Sequence, residues 1–188
     1  MNNYFISDLD KTLIYTKYPN EICVEYKDGK PISYMTEKGL SLMKKILTKS
    51  IFIPCTMRNL EQTMRINFIK EYNPKFIICQ NGANIYINGK LDLEWAEYIS
   101  QFIKTDELEF MKKGIELLNM PIDRIKIIEG INIEIKFPDS SMCTSFLNLI
   151  KCQAFEWYQV IHAKGRRKIN IFHKKINKKY AVEYLIKK

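Results

Sequence analysis

Short apolar runs, each ending in a polar cluster, punctuate the first half of the chain. Tyr4-Phe5-Ile6, Ile51-Phe52-Ile53-Pro54-Cys55 and Lys75-Phe76-Ile77-Ile78-Cys79 have the length and composition of buried strands. Ile22-Cys23-Val24-Glu25-Tyr26 and Pro31-Ile32-Ser33-Tyr34-Met35 flank Lys27-Asp28-Gly29-Lys30, an Asp-Gly hairpin signal. Thr36 opens a predicted helix that runs to about Lys49, with Leu40, Met43, Ile46 and Leu47 on one stripe. Asn59 and Gln62 have the spacing of a capping pair for a second helix.

The texture changes from about Ile85 to His162. Asn84-Ile85-Tyr86-Ile87 and Leu91-Asp92-Leu93 flank Asn88-Gly89, a second hairpin. Trp95 to Leu118 has helical periodicity, broken near Thr105-Asp106. Arg124 to Ile128 and Asn132 to Phe137 read as strands around Gly130. Ser140 to Cys152 reads as a helix. Phe155 to Ile161 and Lys168 to Phe172 read as strands on either side of Lys164-Gly165-Arg166. The last element is a helix opened by Asn177 and Lys178.

Strands alternating with helices in the first half argue for an α/β sheet, and the middle of the chain for a mixed α+β insertion. The chain's 188 residues suit one domain carrying such an insertion. With 46% apolar residues it can bury a sizeable core. No apolar run approaches the length of a membrane span, about 18 residues. Asp8 and Asp10 interrupt any signal-peptide pattern at the start. Cys23, Cys55, Cys79, Cys143 and Cys152 are dispersed without a C-x-x-C pair, as expected of reduced core thiols in a cytoplasm. The +9 net charge lies wholly in Ile161 to Lys188, where ten basic residues face Glu183 alone. Such a segment could attract phosphate or nucleic acid, form a solvated helix face, or complement an acidic surface elsewhere.

The chemistry concentrates at strand ends. Asp8 and Asp10 follow the first strand two residues apart, so in extended chain both carboxylates point the same way. Two like charges there need a shared cation or proton. Thr56 sits after the second strand and before a helix N-terminus, a setting that suits a phosphate oxygen. Asn81-Gly82-Ala83 follows the third strand. His162 and His173 lack metal-ligand spacing and are expected to be structural.

Asp8-Leu9-Asp10-Lys11-Thr12 resembles the first motif, D-x-D-x-[TV], of the haloacid dehalogenase (HAD) superfamily of phosphohydrolases. The hairpin after it resembles that family's flap. Thr56-Met57-Arg58 resembles the second motif, which in the Cof-like, sugar-phosphatase-like subgroup reads T-G-R; Met57 replaces the Gly. Asn81-Gly82-Ala83 is similar to the same subgroup, and Lys178, with Lys179 as the near alternative, resembles the third-motif lysine. The resemblance implies a Rossmann-like HAD core with a mostly parallel sheet and an inserted α+β cap of the C2 type. The boundaries it implies are 1–84 for the first part of the core, 85–165 for the cap and 166–188 for the return to the core.

The activity it implies is Mg2+-dependent hydrolysis of a small phosphorylated metabolite, such as a sugar phosphate, through an aspartyl-phosphate. Asp8 would be the nucleophile, Asp10 the acid and base, and Thr56 and Lys178 the holders of the phosphoryl oxygens. Arg58 and Asn81 would meet the substrate, and Asp8 and Asp10 the metal. The family's fourth motif, an acidic G-D-x-x-x-D cluster, has no counterpart before Lys188. Its absence predicts an open sheet edge and a magnesium site short of ligands. The short chain is expected to be natural, a fragment, or completed by a partner or second copy. A protein that keeps the fold and binds without turnover is the alternative reading; nucleic-acid binding through the basic segment ranks last.

Overall fold

The computed structural model describes residues 3–16, 21–150, 156–163 and 165–188. Its backbone divides into two compact units, Met1–Glu97 with Asn177–Lys188, and Tyr98–Ile176.

The first unit opens with β1 (Tyr4–Ser7) and the hairpin β2 (Ile22–Lys27) and β3 (Lys30–Met35). Asp28 and Gly29, both at positive φ, make its turn, as the Asp-Gly pair predicts. Next come α1 (Glu37–Leu47), β4 (Ile51–Pro54), α2 (Leu60–Met64), α3 (Asn67–Tyr72), β5 (Phe76–Cys79), β6 (Asn84–Ile87), β7 (Lys90–Leu91) and α4 (Leu93–Ser100). Thr36 caps α1 by accepting the Gly39 N–H at 3.0 Å. Asn59 and Gln62 close a full capping box on α2. The helix they start is short, because the chain turns at Arg65 and Ile66 before α3.

β1 and β4 pair in parallel from Tyr4–Ile51 to Ser7–Pro54. A parallel bridge at Cys55–Ile78 sets β4 beside β5, and β5, β6 and β7 continue antiparallel. Leu9, Val24, Met35, Met43, Phe52, Ile66 and Ile69 form the core between this sheet and its helices. Tyr4 and Ile6 are 58% and 37% exposed, so β1 is not the buried strand that its composition predicts. Among the described residues it pairs with β4 alone.

In the second unit α5 (Thr105–Glu116) and α6 (Ser140–Ile150) cover one face of an antiparallel sheet. Its strands are β8 (Arg124–Ile128), β9 (Asn132–Lys136), β10 (Tyr158–His162) and β11 (Lys168–His173), in the order β10-β11-β9-β8. Ile133, Ile135, Ile169 and Ile171 alternate inward against Leu108, Ile115, Phe146 and Ile150. Glu134 points the other way, between Arg124 and Lys168 at 2.7 and 2.8 Å. The expected end of the helix at Cys152, the strand start at Phe155 and the turn residue Lys164 lie outside the described residues.

Two boundaries differ from the sequence reading. Residues 85–97 belong to the first unit, because β6 pairs along β5. β11, expected as the strand returning to the core, pairs with β9 and β10 instead. The chain re-enters the first unit at Asn177, the N-cap of α7 (Lys178–Lys187). No helix among the described residues is long and apolar enough to cross a membrane.

Candidate active site

Asp8 is the first residue beyond β1. Its Oδ1 lies 2.9 Å from Lys178 Nζ and accepts the Leu9 N–H at 2.8 Å. Lys178 opens α7, and Asn177 fixes that helix start by accepting the Lys179 N–H at 2.9 Å. Of the two neighbouring lysines, Lys178 therefore faces the carboxylate, while Lys179 reaches Glu183 at 3.8 Å.

α7 can begin here because of Gly82. A Cβ on Gly82 would sit 2.6 Å from the Asn177 carbonyl oxygen and 3.0 Å from the Lys178 nitrogen. Gly82 also has a φ of +97°, which L side chains rarely adopt. The Trp95 indole N–H holds its carbonyl at 2.9 Å. Asn-Gly after β5 is thus the seat of α7 as well as a turn.

Thr56 follows β4 and is 1% exposed. Its N–H donates to the Ile78 carbonyl at 2.9 Å and its carbonyl accepts from Asn81 at 3.0 Å. The Arg58 carbonyl accepts from Gln80 at 2.9 Å. These bonds zip the loop after β4 to the loop after β5. The Thr56 hydroxyl accepts the Arg58 N–H at 3.2 Å, so its own proton points elsewhere. Asn81 is buried at a φ of +59°. Cys55, beside Thr56, is buried too, and burial pushes its thiol up to about 11 against the opposing pull of Lys178.

Asp10 faces a different partner. Arg58 grips both its oxygens, Nε to Oδ2 at 2.7 Å and Nη2 to Oδ1 at 2.9 Å. The two aspartates thus have different side-chain partners, Lys178 for Asp8 and Arg58 for Asp10. Arg58 also gives Nη1 to Glu25 at 2.8 Å and to the Gln62 carbonyl at 3.2 Å. Burial works against its charge, but the Asp10 and Glu25 carboxylates outweigh that and raise the guanidinium above its ordinary value. Arg58 is thus engaged with the Asp10 and Glu25 carboxylates.

Sequence reasoning missed Glu25. Strict alternation along β2 would send it to the face opposite Val24 and Tyr26. Register shifts on both sides of Glu25 break that alternation, and Val24 and Glu25 are both buried. The signal in the sequence was a pair of arginines, Arg58 and Arg65, flanking a short capped helix.

A divalent cation here would draw on the Asp8 carboxylate and the Asp10 carbonyl. Oxygen donors of this kind suit a hard divalent cation. Among the described residues no group of three His, Cys, Asp or Glu side chains converges on one point.

Among the described residues after Ile161, Lys168, Lys178, Lys179 and Lys188 pair with carboxylates. The terminal charge excess is partly the counterpart of acids earlier in the chain. Lys188, for one, reaches the buried Asp92 at 2.6 Å.

No protein-family model matches the chain. No curated protein matches it in sequence. Solved structures do match in shape. The sucrose-phosphatase of Synechocystis sp. PCC6803, in complex with sucrose and phosphate, superposes with a TM-score of 0.64 at 18% identity, over 100% of this chain and 70% of that one. A haloacid dehalogenase-like hydrolase from Bacteroides thetaiotaomicron gives 0.62 at 8%, over 100% and 77%. A HAD subclass IIB sugar phosphatase gives 0.62 at 11%, over 100% and 75%. The chain has the Rossmann-like α/β fold of the HAD sugar phosphatases.

Proposed function

We propose that the chain is a phosphomonoester hydrolase of the HAD superfamily that acts on a small phosphorylated metabolite, a sugar phosphate by class. The observation that carries this reading is the pairing of Asp8 with Lys178 at 2.9 Å, beside the loop that bears Thr56. Structures of this shape include a sucrose-phosphatase and a sugar phosphatase, which supports the substrate class. The inserted unit, Tyr98–Ile176, takes the role of the cap that selects the substrate.

The steps follow from the side chains. The substrate's phosphate meets the Lys178 ammonium and the Thr56 hydroxyl, which offset the charge spread over its oxygens. An Asp8 oxygen attacks phosphorus as the bond to the leaving oxygen breaks, and Asp10, protonated, gives that oxygen its proton. Asp10 then takes a proton from water, the water oxygen attacks phosphorus, and the bond to Asp8 breaks. Inorganic phosphate leaves and the Asp8 carboxylate is restored. The Asp8 carboxylate and the Asp10 carbonyl would hold magnesium, which would supply positive charge to offset that of the phosphate.

A second reading is a protein that binds phosphorylated ligands without turning them over. It is favoured by the grip of Arg58 on both Asp10 oxygens, which ties that carboxylate to a protein cation and occupies two of its four lone-pair positions. Phosphate release from 4-nitrophenyl phosphate and a panel of sugar phosphates, with magnesium and with chelator, separates the two. Magnesium-dependent release lost in Asp8→Asn supports the hydrolase. Binding of the same compounds without release supports the second reading.

A further inference from the structure

Glu25 is fully buried, sits in a hairpin without catalytic residues of its own, and is tied to the acid–base aspartate through a single side chain. A buried carboxylate is costly unless paired and hydrogen-bonded. Glu25 has three partners. Ser33 Oγ donates to Oε2 at 2.6 Å, Arg58 Nη1 to Oε1 at 2.8 Å and Arg65 Nε to the same oxygen at 3.3 Å. The bulge in β2 turns it inward, and a bridge from Glu25 to Ile66 ties the hairpin to the turn after α2.

We propose that Glu25 is a positioning residue for Asp10: it fixes the plane of the Arg58 fork, and that fork fixes the carboxylate that handles the proton. The inference rests on the hydrolase reading for its kinetic consequence, but not for its geometry. A guanidinium is planar and rigid, so a bond at Nη1 sets where Nε and Nη2 point. Those two nitrogens make the paired bonds to Asp10 at 2.7 and 2.9 Å. Asp10 needs such an anchor, since its side chain is 46% exposed and the Arg58 side chain only 13%. Charge points the same way. Arg58 and Arg65 carry two positive charges, and Glu25 and Asp10 balance them. Without Glu25, Arg58 keeps at Nη1 only the longer bond to the Gln62 carbonyl, at 3.2 Å, and loses the charged partner that orients it. Arg65 retains only Glu61, at 3.6 Å on the surface.

The test uses Glu25→Gln, which keeps shape and removes charge, and Glu25→Asp, which keeps charge. A misplaced general acid hurts substrates with poor leaving groups most, because a good leaving group departs without a proton. Glu25→Gln is expected to lower kcat on an alkyl phosphate such as glucose 6-phosphate about 100-fold, and on 4-nitrophenyl phosphate less than about 10-fold. Glu25→Asp recovers most of the loss. Equal losses on both substrates would mean a structural role only and would overturn the proposal.

An NMR readout works without activity. The Arg58 Nε–H resonance, assigned by its loss in Arg58→Lys, is expected to be slow to exchange in the natural protein. It should lose that protection in Asp10→Asn and in Glu25→Gln, and keep it in Glu25→Asp. Unchanged protection in Glu25→Gln overturns the proposal even if the protein releases no phosphate, an outcome that would itself refute only the hydrolase reading. If Glu25→Gln does not fold, Ser33→Ala carries the test. It removes the 2.6 Å bond to Glu25 alone. It should raise the Arg58 Nε–H exchange rate severalfold; no change overturns the proposal.

Discussion

Replacing Gly82 by Ala tests the seat of α7 in two ways at once. The new Cβ would lie 2.6 Å from the Asn177 carbonyl oxygen and 2.7 Å from its carbon, where ordinary contact begins at 3.4 Å. Both atoms are backbone, so no rotamer change relieves the clash, and the two segments must part by about 0.8 Å. Such overpacking costs about 1–3 kcal/mol. Holding Ala at a positive φ adds about 1–2 kcal/mol. The sum, about 2–5 kcal/mol, is a large share of a typical domain's stability of about 5–15 kcal/mol. The shift also carries Lys178 off Asp8, now 2.9 Å away. A displacement near 1 Å at a reacting centre lowers turnover on the order of 100-fold.

Gly89 supplies the control. Its φ is +75°, and nothing lies within 4 Å of its would-be Cβ. Gly89→Ala should therefore cost about 1–2 kcal/mol by strain alone and leave turnover unchanged. Urea denaturation and initial rates of phosphate release on both variants decide the matter. If Gly82→Ala proves no less stable than Gly89→Ala, and as active as the natural protein, the argument for the seat is wrong.

Three further expectations follow from local chemistry. Burial lifts the Cys55 thiol to about 11, so it should resist alkylation in the folded protein at pH 8 and react in urea; rapid labelling of native protein would contradict this. Burial pushes the Asp92 carboxyl up, but Lys188, the Trp95 N–H and Tyr184 outweigh it and hold it below its ordinary 3.8. Burial likewise opposes Lys168 and Arg124 at Glu134, which stays below its ordinary 4.5. A depressed carboxyl stabilises the fold above its unfolded value, and that gain is lost as pH falls through the folded one. The urea midpoint should thus hold from pH 7 to about 4.5 and fall below that, less steeply in Asp92→Asn; an equally steep fall there would exclude Asp92. Finally, Lys11 lies at a φ of +63°, so Lys11→Gly should raise the melting temperature through about 1 kcal/mol; a lower one would mean its side chain holds the turn.

Local signals were legible in the sequence. Thr36 and Asn59 announced their helices, Asp28-Gly29 its hairpin, and Asn177 the start of α7, because each acts on backbone within a few residues. The sequence puts Asp8, Thr56 and Lys178 at strand and helix ends, and the structure sets Lys178 on Asp8. What stayed hidden depends on distant pairing. The alternation of Ile169 and Ile171 says that β11 has one buried face, not which sheet it joins. Glu25 was hidden because a bulge reverses the face that alternation assigns. The contacts of Arg58 were hidden too, since Asp10 and Glu25 come from other segments.

The most direct measurement of the central claim is acid-quenched peptide mapping during turnover of a sugar phosphate. The account predicts a phosphoryl group on the peptide that contains Asp8, present with magnesium and absent in Asp8→Asn. Phosphate release by the natural protein with no such group on Asp8, or with one on another residue, would contradict it.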